Sequence, residues 1–180
     1  MTAAQRVSAK EAGMTEQTPE ANPYGTPTTA GPEPIPSYQN LVNTLIRSLL
    51  RVPVLSTPVG KRLCVLHVVG RKSGKHYDVP VAYTRHENAI LVGTAKRPWV
   101  SNIRKGVPIE VSFGGPRHPA DAEVLTDAES VVRLSEVIAR DNKQWAKFNG
   151  MGFDAAGNPN RADAYQSWEQ GAVIIRLTVR

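Results

Sequence analysis

Six short apolar runs, most of them joined to the next by a polar turn of a few residues, most constrain what this chain can fold into. Residues 63–69, 79–84, 89–95, 108–113, 120–125 and 172–179 are rich in Val, Ile and Leu and read as strands. Gly70 to Gly74, His86-Glu87-Asn88 and Gly114-Gly115-Pro116 each lie between neighbouring runs. A parallel crossover needs a dozen or more residues. These connections are therefore hairpins, and the chain is expected to form a mainly antiparallel β sheet curled toward a barrel, with helices outside.

The helices follow from apolar spacing. Ser37 can cap a helix over 38–52, where Leu41, Val42, Leu45, Ile46, Leu49 and Leu50 recur and Pro53 stops the run. Arg47 and Arg51 lie off that stripe, so the helix can cover a barrel opening or lie on a membrane surface. Residues 98–105 read as one short helix between Pro98 and Gly106. Thr126 is expected to cap a long helix reaching Trp145; residues 148–160 read as a loop and 162–168 as a short helix. Residues 1–36 hold six of the fourteen prolines and no apolar periodicity. They are expected to be a disordered tail before one folded domain, residues 37–180.

Charge is placed unevenly. Residues 61–105 carry ten Lys or Arg and two acids, whereas the rest of the chain is close to balanced, so this segment accounts for the whole chain's net charge of +6. Such a local field draws an anion: nucleic acid, an anionic membrane or a phosphorylated small molecule. Only Tyr77, Tyr83 and Trp99 are available to stack bases, and no recognition helix follows, so nucleic acid is not the expected partner. No apolar run has the roughly 18–20 residues of a membrane span, and residues 1–17 lack the apolar core of a secretory signal. The expected location is the cytoplasm, with membrane association only through 38–52. Cys64, the single cysteine, sits in an apolar run and reads as a buried, inert thiol.

Three clusters could carry chemistry. The turn Gly70-Arg71-Lys72-Ser73-Gly74-Lys75-His76 offers two glycines, a hydroxyl and three cations, the means to grip a phosphate, although an ordinary solvated turn has the same composition. It lacks the spacing of a P-loop. Thr94-Ala95-Lys96-Arg97-Pro98-Trp99, with Asn102 one turn on, combines a hydroxyl, cations and an indole that either stacks on a ring or fills the core. Tyr165-Gln166-Ser167-Trp168 either walls a pocket or docks the last helix. There is no GxSxG elbow and no HExxH, and His67, His76, His86 and His118 show no metal-ligand spacing. His67 lies in a strand and reads as a satisfied interior histidine. A chain with this inventory binds a ligand, or lets a cofactor supply the chemistry.

Taken in order, Gly70-Arg71-Lys72-Ser73-Gly74, Val79-Pro80-Val81-Ala82-Tyr83, Trp99-Val100-Ser101-Asn102-Ile103-Arg104, Ile109-Glu110-Val111 and Tyr165-Gln166-Ser167-Trp168 resemble the deazaflavin (F420)-dependent nitroreductase family over residues 38–180. The resemblance implies a split β-barrel of the FMN-binding type with flanking helices. It implies hydride transfer from reduced coenzyme F420 to an electrophilic small molecule: a quinone, an enone or a nitro compound. The cofactor's phosphate and glutamate tail would lie on Arg71, Lys72, Ser73 and Lys96, beside Tyr77. Its ring would lie against Val79, Pro80, Val81 and Ala82 and against Gly93, Thr94 and Ala95, walled by Trp99, Val100 and Asn102. Ala82, Tyr165 and Trp168 would face substrate, the proton coming from Tyr165 or from solvent. The chain departs from the family at that end: Ala82 stands where nitroimidazole-reducing members carry a tyrosine. FMN in place of F420, or a non-catalytic binder of either, are the alternatives, and the oligomeric state stays open.

Overall fold

A computed structural model describes residues 21–32 and 62–180. The sheet grows from the hairpin at residues 70–75. Strand β1 (Leu63–Val69) pairs antiparallel with β2 (His76–Ala82), Val69 opposite His76 and Leu63 opposite Ala82. Then come β3 (Thr84–His86), β4 (Ala89–Ala95), β5 (Ile109–Ser112), β6 (Arg117–Leu125) and β7 (Ala172–Val179). All seven form one antiparallel sheet in the order β2-β1-β5-β6-β7-β4-β3.

The run expected as one strand over 79–84 is two strands, because it crosses the seam of a barrel. β2 and β3 are opposite edges of the sheet, yet Tyr83 alone separates them. A flat seven-stranded sheet would hold its edges roughly 28 Å apart at the ordinary strand spacing. One residue cannot span that, so the sheet is curled until its edges meet, the geometry of a split β-barrel. β2 accordingly approaches β4, and Tyr83 is buried, its N–H donating to the Arg62 carbonyl.

Strand alternation sorts the side chains. Cys64, Leu66 and Val68 of β1, Val92 of β4, Val111 of β5 and Ile175 and Leu177 of β7 fill the barrel. Each such aliphatic side chain contributes about 1.5–3 kcal/mol by leaving water. Leu91 and Ile174 point the other way, onto helix α1 (Ala128–Asp141), whose Val131, Leu134 and Ile138 recur at helical spacing. The long helix expected to run to Trp145 breaks at Asn142, which leaves helical geometry and caps α2 (Lys143–Phe148) by accepting from Trp145 N–H. Asp127 rather than Thr126 caps α1; the Ser130 N–H on its carboxylate holds that group below its usual range. Asn160 caps α3 (Arg161–Glu169).

Two further expectations are corrected. Residues 98–105 hold only a 3₁₀ turn, Val100–Asn102. Ser101 Oγ donates to the Pro98 carbonyl, and Val100 and Ile103, three residues apart, both drop into the barrel core. Residues 21–32, inside the stretch expected as a tail, lie against α3 and the loop before it. Thr28 and Thr29 bond to Asp163, Asn22 to the Ala162 carbonyl and Thr29 to the Gly150 carbonyl. Polar partners on the body and the packing of Tyr24 against Tyr165, not apolar periodicity, hold this segment. The expected helix over 38–52 lies outside the described residues. Among those described, no helix is long and apolar enough to cross a membrane.

Candidate functional site

The basic turn is built on two glycines. Gly70 N–H donates to the Lys75 carbonyl and Gly74 N–H to the Gly70 carbonyl, closing the loop. Gly74 has φ +64°, and a side chain at Gly70 would press on Ser73 Oγ at 2.8 Å. Arg71, Lys72, Ser73 and Lys75 are left exposed at the tip. Asn102 Oδ1 accepts from Arg71 N–H at 3.2 Å, which joins the turn to the 3₁₀ segment 31 residues on. Lys75 Nζ sits 5.6 Å from the centre of the Tyr77 ring.

Beneath this junction is a cavity of about 470 Å³. Its basic lining is Arg71, His76, Arg104 and His67, and its one acid, Glu110, is paired with Arg117 at 3.1 Å. The cavity therefore presents uncompensated positive charge beside backbone and amide donors, a donor set suited to phosphate or carboxylate. His67 is part of that lining; its Nδ1 lies 2.7 Å from Asp78 Oδ1 and its Nε2 3.0 Å from Ser112 Oγ. These three side chains come from β1, β2 and β5 and share the outer face of the barrel wall.

The other expected site residues divide by strand face. Val79 and Val81 point inward and pack on the barrel core with Trp99. Pro80 and Ala82 alternate outward, on the face that carries Asp78. Val100 is buried in the core, so its side chain is structural. Gly93 has its bare face closed by Trp145, whose indole Nε1–H donates to the Gly93 carbonyl at 3.1 Å. Thr94 and Ala95 are half-buried beside it, and Lys96 is exposed, its N–H donating to the Gly171 carbonyl. Tyr165 and Trp168 belong to the helical layer over β4 and β7. Their rings are 5.1 Å apart, and Tyr24 lies on Tyr165 from the other side at 5.7 Å. Trp168 Nε1–H donates to the Thr126 carbonyl.

Sequence reasoning missed Asp78 and Ser112 as neighbours of this candidate site, gave His76 and Arg104 no individual role within the motifs that contain them, and read His67 only as interior. One signal was available. In a hairpin centred on the 70–75 turn, His67 and Asp78 stand equally far from the centre and must face each other, as they do.

Residues 43–151 match the family described as F420H(2)-dependent quinone reductase. No curated protein matches. Solved structures similar to the chain include a putative 5-nitroimidazole antibiotic resistance protein from Bacteroides thetaiotaomicron, at 8% identity and TM-score 0.45, covering 67% of this chain and 75% of that one. Another, described as an F420 reductase, has 15% identity and TM-score 0.39, covering 74% and 92%. A third is a pyridoxamine 5'-phosphate oxidase-related, FMN-binding protein from Nostoc punctiforme, at 12% identity and TM-score 0.40, covering 81% of each chain.

Proposed function

The chain belongs to the F420H(2)-dependent quinone reductase family, and from that premise we propose that it passes a hydride from reduced coenzyme F420 to a quinone or a related electrophile. One observation carries the reading. The Arg71 to Asn102 hydrogen bond brings two segments remote in sequence together around one cationic cavity. An anionic tail is what such a cavity recognises. Bound F420 supplies a hydride. The chain's own task is to bind, orient and exclude water.

In this reading Arg71, Lys72, Ser73 and Asn102 hold the phosphate, with Arg104 and His76 added by the cavity lining. β2 is an edge strand, so a flat ring can lie along its outer backbone and the Pro80 to Ala82 stretch. Lys96, exposed at the end of β4, completes the basic rim. The reading keeps the protein in the cytoplasm. Residues 38–52, whose sequence spacing would put apolar side chains on one stripe with basic ones off it, would suit a membrane surface where quinones dissolve.

The test is a fluorescence titration with F420, with FMN in parallel, followed by turnover of reduced F420 against quinones and enones. Micromolar binding of F420 and oxidation by a quinone are expected. Preference for FMN, or binding without turnover, would sink the assignment.

A further inference from the structure

Reduction of a quinone consumes one proton besides the hydride, and the geometry points to His67 as its donor. The inference rests on the reductase reading. Tyr165, the sequence's candidate, packs between Tyr24 and Trp168 in the helical layer over β4 and β7. His67 instead lines the cavity that holds Arg71 and Asn102. It also shares the outer wall with Asp78, on the strand whose Pro80 and Ala82 face the same way.

The arrangement is built rather than incidental. His67 is about nine-tenths buried, with a side-chain exposure of 10%, and Ser112 is buried. Three polar groups on one stretch of sheet wall cost desolvation that three aliphatic side chains would not. Each is satisfied: Asp78 accepts from Nδ1, and Ser112 Oγ meets Nε2. The carboxylate fixes Nδ1 as a protonated nitrogen, which leaves Nε2 as the atom that gains and loses the working proton. Other charged groups face His67 as well. Glu110, its cross-strand partner on β5, is paired with Arg117, while Arg71, His76 and Arg104 ring the cavity. An anion on those cations offsets their charge.

The step balances. The acceptor takes two electrons and one hydrogen as hydride. The Nε2 proton passes to the oxygen that gains negative charge, giving the hydroquinone. His67 is left neutral with Nδ1–H still on Asp78, the Ser112 hydroxyl turns to donate to Nε2, and solvent restores the proton. Ser112 lies in the nucleophile's place of an acyl-transfer triad. It does not line the cavity, however, so it acts here as a positioning residue.

Three measurements test this. With F420 held saturating, as checked by fluorescence titration, His67→Gln should lose about 100-fold in quinone turnover and lose the alkaline limb of its pH profile. Imidazole added to His67→Ala should restore some of the rate. In the unmodified protein, nitrogen NMR should show the His67 imidazole titrating at the midpoint of that alkaline limb, and Asp78→Asn should lose the Nδ1–H signal. Wild-type rate and pH profile in His67→Gln, or an NMR midpoint apart from the kinetic one, would overturn the proposal alone. Failure of the wild-type protein to bind F420 would overturn the reductase reading with it. Covalent labelling of Ser112 by a fluorophosphonate would replace the proton donor with a nucleophile.

Discussion

Replacing Asp163 by Asn tests what ties residues 21–32 to the body. Asp163 is fully buried. Its carboxylate accepts from Thr28 N–H at 2.6 Å, Thr28 Oγ at 2.7 Å, Thr29 N–H at 3.1 Å and Gly152 N–H at 2.9 Å. Hydrogen bonds to a charged group contribute about 1.5–3 kcal/mol each. Asparagine keeps the shape but only one accepting oxygen, and turns an NH₂ toward two of the donors. The gross loss is therefore about two such bonds. The segment can respond by undocking, which lets water take three of the four donors, so the net cost cannot greatly exceed the free energy of docking. About 3 kcal/mol is expected, a fall of roughly 6–12 °C in Tm for a chain of this length. Thermal melts followed by circular dichroism measure it, and limited proteolysis locates it. Cleavage in 21–32 should precede loss of the barrel in the variant and not in the wild type. In a chain lacking residues 1–32, the same substitution should cost only about 1 kcal/mol, from the Gly152 bond. An unchanged melt and cleavage pattern in Asp163→Asn would refute the reasoning.

Three other outcomes follow from the same contacts. Arg71→Ala with Lys72→Ala should weaken F420 binding by roughly 10- to 100-fold, read by fluorescence titration, since charge-assisted bonds to an anion are removed; unchanged affinity would move the tail elsewhere. Gly93→Ala places a methyl against the Trp145 indole, so the melt should fall by about 1–3 kcal/mol of overpacking, and Trp145→Leu in the same chain should recover some of it. Burial pushes the Cys64 thiol from 9.0 up to about 12. The folded state then holds a proton that the unfolded state releases between those values, so this residue's contribution to stability declines as pH rises from about 9 toward 12. Cys64→Ala should flatten that decline in urea melts, and a thiol reagent should label the wild type only when it unfolds.

The strands were legible because hairpin length and β-branched runs are local properties. The ends of β1, β4 and β7 fall where the apolar runs end. What was not legible depended on closure. Nothing local at Tyr83 distinguishes a residue within a strand from one that crosses a barrel seam; only the pairing of β2 with β1 and β3 with β4 does so. The 3₁₀ segment was masked for a similar reason, since Val100 and Ile103 are drawn apart from a regular helix by a core that sequence spacing does not reveal. In the candidate site, the basic turn and Asn102 stood out in the sequence through their chemistry, and the structure brings Arg71 and Asn102 together. His67, Asp78 and Ser112 were not recognised together because Ser112 reaches His67 from β5, 45 residues away.

The barrel's seam accounts for where the candidate site lies. A fully closed barrel spends every backbone donor and acceptor on a neighbouring strand. Here one residue carries the chain from β2 to β3, so β2 runs alongside the far edge without pairing to it, and its outer edge has no strand partner among the described residues. An unpaired edge invites another strand, and Pro80, which has no N–H, makes that addition unfavourable. Among the described residues that edge is therefore left without a strand, and in the proposed reading a flat ring would lie there. At one end of it the glycine turn gathers cations, and beside it His67 and Asp78 occupy the outer wall. On the proposed reading, charge for a tail, an edge for a ring and an imidazole for a proton would fall in line along β1 and β2, because the same hairpin orders all three.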